Sequence, residues 1–143
     1  IPLTTIVPKK YKGKTNKMLL HCYGYYGLAY EIAFNNIYWA VYKWDGLLPM
    51  RISEVEAKKV LNGIKSNKIG KMENFKDLED CVAYLVKNQY THPNVLVLSS
   101  HSAGAITVWN TITHYPHMFK AAILSYPFLD ALGSLLDPSK PLT

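Results

Sequence analysis

Apolar residues fall along the chain in short runs, separated by polar stretches that carry glycine and proline. Ile1 to Pro8 is a β-branched run closed by a proline, which reads as a strand. Met18-Leu19-Leu20-His21-Cys22-Tyr23 reads as a buried strand opening into the glycine-punctuated loop Gly24-Tyr25-Tyr26-Gly27. Ile37 to Tyr42 is a third strand, short and aromatic, with Asp45-Gly46 as the turn after it. The stretch from Arg51 to Lys71 is polar and only weakly helical.

From Asn74 the period changes. Phe75, Leu78, Val82, Leu85 and Val86 recur at helical spacing, so a helix is predicted to about Gln89. His92-Pro93-Asn94 breaks the chain, and Val95-Leu96-Val97-Leu98 has the continuous apolarity of a strand buried on both faces of a parallel sheet. The turn Ser100-His101-Ser102-Ala103-Gly104 leads into a helix through Thr113. After Tyr115-Pro116, Ala121 to Ser125 is a further buried strand stopped by Pro127. This rhythm of strand, helix, strand, helix, strand predicts an α/β fold with a mostly parallel sheet and helices on both faces. With no internal repeat, low-complexity tract or linker, residues 1–143 read as one domain or part of one.

Composition narrows the function classes. A chain of 143 residues that is 49% hydrophobic and 18% charged can bury a real core. The net charge of +6 is carried by lysine, with Arg51 the only arginine. The lysines group at Lys9, Lys10, Lys12, Lys14 and Lys17 and again at Lys58, Lys59, Lys65, Lys68 and Lys71. Readers of nucleic acid add arginine forks and exposed aromatics for stacking, whereas these tyrosines follow strand and helix patterns. The charge therefore reads as solvated loops, not a nucleic-acid face. No apolar run approaches the roughly 20 residues of a membrane span, and no signal peptide is evident. Cys22 and Cys81 have neither metal-ligand nor disulfide spacing, which favours a reducing, cytoplasmic setting, and no cofactor or metal is implied. The first residue is Ile1 and not Met, as expected of a piece of something longer.

The candidate chemistry lies in Val95 to Ala105. A serine between small neighbours, where a buried strand turns into a helix, is the nucleophile-elbow pattern, and Ser102 stands there with Ser100 and Gly104 two positions to either side. The Ala103 N–H at the helix start would face a developing oxyanion. The same serine could also be an ordinary N-cap; this segment favours the elbow and leaves both readings open. A nucleophilic serine needs a base. His101 adjoins it and should diverge from it, while His114 lies about 18 Å along the helix at the usual rise per residue. His117 is farther, His21 is in a strand, and His92 is in a loop at the other end of the sheet. Asp130 after the last strand could be an acid, but reads better as the cap of a short helix.

Taken together, Tyr23-Gly24-Tyr25-Tyr26-Gly27, the helix beginning Asn74-Phe75-Lys76-Asp77-Leu78, the elbow Ser102-Ala103-Gly104, Tyr126-Pro127-Phe128-Leu129-Asp130, and the ending Leu136 to Thr143 occur in an order and spacing that resembles the peptidase domain of the prolyl oligopeptidase family. The ending is most similar to the oligopeptidase B branch and its prolyl endopeptidase-like relatives. The resemblance runs from Ile1 to Thr143 and implies a partial α/β-hydrolase fold.

It also implies that Ser102 is the nucleophile of a serine-type oligopeptidase acting by acyl transfer on short peptides, and that Tyr25 donates its hydroxyl to the oxyanion beside the Ala103 N–H. The family's acid and histidine would lie beyond Thr143 and its β-propeller before Ile1, so the chain by itself is expected to be inactive. Three departures stand out: the family's first elbow glycine is Ser100, the glycine after Gly104 is Ala105, and an Arg-Gly-Gly-Gly-Glu stretch becomes Arg51-Ile52-Ser53-Glu54-Val55-Glu56. Bulky residues cannot follow a backbone path that needs glycine's positive φ. Two rival readings follow: a catalytically degenerate hydrolase fold kept as an interaction protein, and an esterase or thioesterase using the same serine.

Overall fold

The computed structural model describes Leu3, Thr5 and residues 17–25 and 72–140. The strands expected over Ile1 to Pro8 and Ile37 to Tyr42, the Asp45-Gly46 turn and the stretch Arg51 to Lys71 lie outside these residues, apart from Leu3 and Thr5.

The described residues form a three-stranded sheet of β1 (Met18–His21), β2 (Leu96–His101) and β3 (Ala121–Ser125), in that order and parallel throughout. Helix α1 (Met72–Lys87) precedes β2, α2 (Gly104–His114) connects β2 to β3, and α3 (Ala131–Leu136) follows. The alternation read from the sequence is therefore present. Each strand places every second residue on one face, and Met18, Leu20, Leu96 and Leu98 on that face are fully buried. Leu78, Val82 and Leu85 of α1 and Val108 of α2 pack on them, with Cys22, Cys81 and Phe119 in the same core. The spacing of Leu78, Val82 and Leu85 puts them on one stripe of α1, which is why that helix buries one side against the sheet.

Element boundaries differ from expectation for identifiable reasons. Strand β2 was expected to open at Val95, but Val95 closes a 3-10 turn (Pro93–Val95) by donating its N–H to the His92 carbonyl at 2.9 Å. The strand then runs past the apolar residues to His101, because Ser100 and His101 pair with Leu124 and Ser125 of β3. Strand β1 ends at His21, two residues before the expected Tyr23. Helix α1 starts at Met72 and ends at Lys87, short of the expected Gln89. It closes with Gln89 in the left-handed region (φ 58°), the Gln89 N–H donating to Val86 O and the Tyr90 N–H to Leu85 O. That is a Schellman termination made without glycine.

Candidate active site

Ser102 sits between β2 and α2 with φ of 48°. A left-handed conformation costs a β-carbon-bearing residue about 1–2 kcal/mol, so the surroundings must hold it. The Ser102 N–H donates to Ser125 O at 3.2 Å, and its carbonyl accepts from Phe128 N–H at 3.1 Å and Ala105 N–H at 3.2 Å. The end of β3 and the segment after it thus grip both sides of the serine. The N-cap position of α2 is Ala103, with no side-chain capping bond, so Ser102 is not a capping serine. Ala103 itself is buried and helical (φ −61°, ψ −31°), and its N–H belongs to the helix's first turn, where donors lack intrahelical acceptors.

The two small flanking residues have different roles. A β-carbon on Gly104 would lie 2.6 Å from Ser100 Oγ and 2.8 Å from Tyr23 Cα, so glycine is required for α2 to approach the end of β1. Ser100 is buried, and its hydroxyl donates to the Cys22 carbonyl at 2.5 Å. The serine that stands at this elbow position is accommodated by a specific hydrogen bond.

The loop after β1 brings Tyr25 to the same place. Gly24 takes φ of 72°, and its carbonyl accepts from Asn74 Nδ2 of α1 at 3.0 Å. Tyr25 is buried in one cluster with Tyr23 and Ala103, Ile106 packing beside them, and the Tyr23 and Tyr25 rings meet edge-on at 6.3 Å. Ser102, Ala103 and Tyr25, picked out from sequence, therefore converge at the C-terminal ends of β1 and β2.

The histidines are engaged in other ways. His101 stacks between His21 (5.5 Å) and Tyr23 (4.8 Å) and tilts against Tyr126 at 5.7 Å. His21 is buried and shares a hydrogen bond with Ser99 Oγ at 3.0 Å; burial, and then the neighbouring His101, push its pKa down to about 4. His114 Nδ1 donates to Asn110 O at the end of α2, and His92 caps the 3-10 turn by accepting from Asn94 N–H. His117 lies in the turn Pro116–Met118. Asp130 accepts from Gly133 N–H at 2.8 Å as the N-cap of α3, the role expected for it. The aromatic and histidine column was not foreseen, because nothing local in the sequence ties His21 to His101. Both cysteines are free and buried, and burial pushes Cys22 up to about 12. Among the described residues no group of three or more His, Cys, Asp or Glu could hold a metal ion, and no helix is long and apolar enough to cross a membrane.

Comparison with known proteins decides the lineage of this arrangement. Residues 64–143, more than half of the chain, match the sequence profile of the prolyl oligopeptidase family. The chain belongs to that family. The prolyl endopeptidase-like protein of Xenopus laevis is 26% identical over 148 aligned residues, covering 100% of this chain and 20% of that protein. The prolyl endopeptidase-like protein of Rattus norvegicus is 34% identical over 73 residues, covering 51% of this chain and 10% of its own. The chain thus spans a fifth or less of the length of these two curated relatives. Among solved structures, oligopeptidase B from Trypanosoma brucei with covalently bound antipain superposes with a TM-score of 0.79 at 27% identity, covering 92% of this chain and 19% of that one. Oligopeptidase B from Leishmania major superposes at the same TM-score and 22% identity over 97% of this chain, which bears on fold alone. The fold is that of part of these α/β-hydrolase peptidase domains.

Proposed function

We propose that this chain is the elbow-bearing portion of a serine oligopeptidase domain. In it Ser102 attacks a peptide carbonyl, and the Tyr25 hydroxyl with the Ala103 N–H stabilises the oxyanion that forms. The observation that carries this reading is the left-handed Ser102, gripped by Ser125, Phe128 and Ala105 where a buried strand becomes a helix. Strain of that kind at a non-glycine residue is a feature of sites that must project a side chain. In acyl transfer a base removes the Ser102 proton as Oγ bonds to the carbonyl carbon. The tetrahedral intermediate then expels the amine, which takes that proton, and water releases the acyl group.

We assign the base and its acid partner to chain beyond Thr143, and a β-propeller to chain before Ile1. Exposed apolar residues on β3 and α3 support a larger domain: Ile123 on β3 is 55% exposed, and Leu132 and Leu136 on α3 are 74% and 72% exposed. Short peptides are the substrates on this reading, and the setting is cytoplasmic.

The reading is tested by steady-state hydrolysis of chromogenic peptides and of matched esters and thioesters by the full-length protein carrying this chain, with Ser102→Ala as control. Peptide turnover lost in the variant is the expected result. Turnover of esters or thioesters alone would assign it to an esterase. A folded full-length protein with no Ser102-dependent turnover would favour the interaction-protein reading, for which the specific observation is that Arg51 to Glu56 holds no glycine where the resemblance implies a glycine-rich stretch.

A further inference from the structure

We propose that Ser100 is a positioning residue for the oxyanion site: its hydroxyl ties β2 to the loop that carries Tyr25, and so sets where Tyr25 stands relative to Ser102. This rests on the roles proposed above for Ser102 and Tyr25.

Ser100 is 2% exposed, and its Oγ donates to the Cys22 carbonyl at 2.5 Å. The Cys22 N–H donates in turn to Ser99 O at 3.0 Å, so both backbone groups of Cys22 are held by the end of β2. The neighbouring Tyr23 lies so close to Gly104 that a β-carbon there would meet Tyr23 Cα at 2.8 Å and Ser100 Oγ at 2.6 Å. The hydroxyl therefore fills the narrow space where β1, β2 and α2 meet. From Cys22 the chain needs three residues to reach Tyr25, and along that path Gly24 is fixed to Asn74 and Tyr23 sets its ring against Tyr25. A path this short, held at both ends, transmits a displacement of Cys22 to Tyr25. The tie is made by the hydroxyl alone, which a glycine or alanine at this position would lack.

Its loss leaves a buried carbonyl without that donor, and the loop relaxes toward another partner. An oxyanion donor acts only within a few tenths of an ångström of the right distance, and it acts on the transition state. The expected signature is a fall in kcat at constant KM.

The experiment is peptide hydrolysis by the full-length protein carrying this chain, as Ser100→Gly, Ser100→Ala, Tyr25→Phe and the two double variants. Each Ser100 variant should lower kcat about threefold to tenfold with KM unchanged, and Tyr25→Phe about a hundredfold or more. On the Tyr25→Phe background the Ser100 changes should cost less than about twofold, because the residue they act through is already gone. Costs that multiply in the double variants would overturn the inference while leaving the roles of Ser102 and Tyr25 intact. So would variants that fail to fold, since the tie is argued to move a loop and not to hold the sheet together. Full kcat in Tyr25→Phe, or turnover that survives Ser102→Ala, would instead remove the reading on which the inference rests.

Discussion

The backbone N–H of Ser102 donates to the carbonyl of Ser125, the last residue of β3, at 3.2 Å. This bond reaches across the sheet and fixes the turn from the neighbouring strand instead of from its own helix. The carbonyl of Ser102 is fixed in the same way by Phe128, just beyond β3. The conformation of the serine is thus set by tertiary contacts, and two consequences follow for stability.

Gly104→Ala should be severely destabilising. The added methyl meets backbone at Tyr23 Cα, 2.8 Å away, and backbone cannot rotate aside as a side chain can. Overpacking of this kind costs about 1–3 kcal/mol or more, and urea denaturation should show a loss at the upper end. A loss below about 0.5 kcal/mol, the size of a neutral surface change, would mean that α2 does not approach β1 as closely as described.

Ser102→Gly and Gln89→Gly should both stabilise, by about 0.5–1 kcal/mol each, since each relieves a left-handed φ while loosening the unfolded chain. Their effects on function should part company: Gln89→Gly leaves activity unchanged, and Ser102→Gly abolishes it. Stability gained at a residue that activity requires is what a strained functional turn implies. Urea midpoints measured beside peptide turnover check both halves.

Much of this was legible in the sequence, and the illegible parts share a cause. The stripe Leu78, Val82 and Leu85 and the alternate residues Leu96 and Leu98 are buried as their pattern implies, so the alternating fold could be read. Ala121 to Ser125 was legible as a strand but not as the buried one expected, since among the described strands it lies at the sheet edge with Ile123 55% exposed. Ser99 to His101 extend β2 without being apolar, because their place is decided by pairing with β3. Gln89 ends α1 in a conformation usually signalled by glycine, and Ser102 read better as an elbow than as a cap without either being settled until φ and its partners were known. Ser100 looked like a weakened glycine. Its compensating partner, Cys22, is 78 residues away, a distance over which local pattern carries no information.

The buried His21 makes stability depend on pH. Ser99 Oγ and the stacked His101 ring face it among the described residues, and His101 itself packs on Tyr23 and Tyr126. Its folded pKa of about 4 lies below the unfolded value near 6.5, so folding favours the neutral ring. The contribution is fully present above pH 6.5, declines as pH falls from there toward 4, and is constant below. Its full size is about 3 kcal/mol. Urea titrations at intervals between pH 7 and 4 should show this decline, and His21→Asn should remove the part due to His21. An unchanged slope in the variant would mean that His21 is solvated in the folded protein.

The most direct measurement is fluorophosphonate labelling of the full-length protein carrying this chain, with Ser102→Ala as control and mass spectrometry to locate the adduct. A single adduct on Ser102, lost in the variant, is the expected result and would show that the gripped serine is activated by a base. A folded protein that takes no label at Ser102 would contradict the account, leaving the strained turn as a relic of the fold without its chemistry.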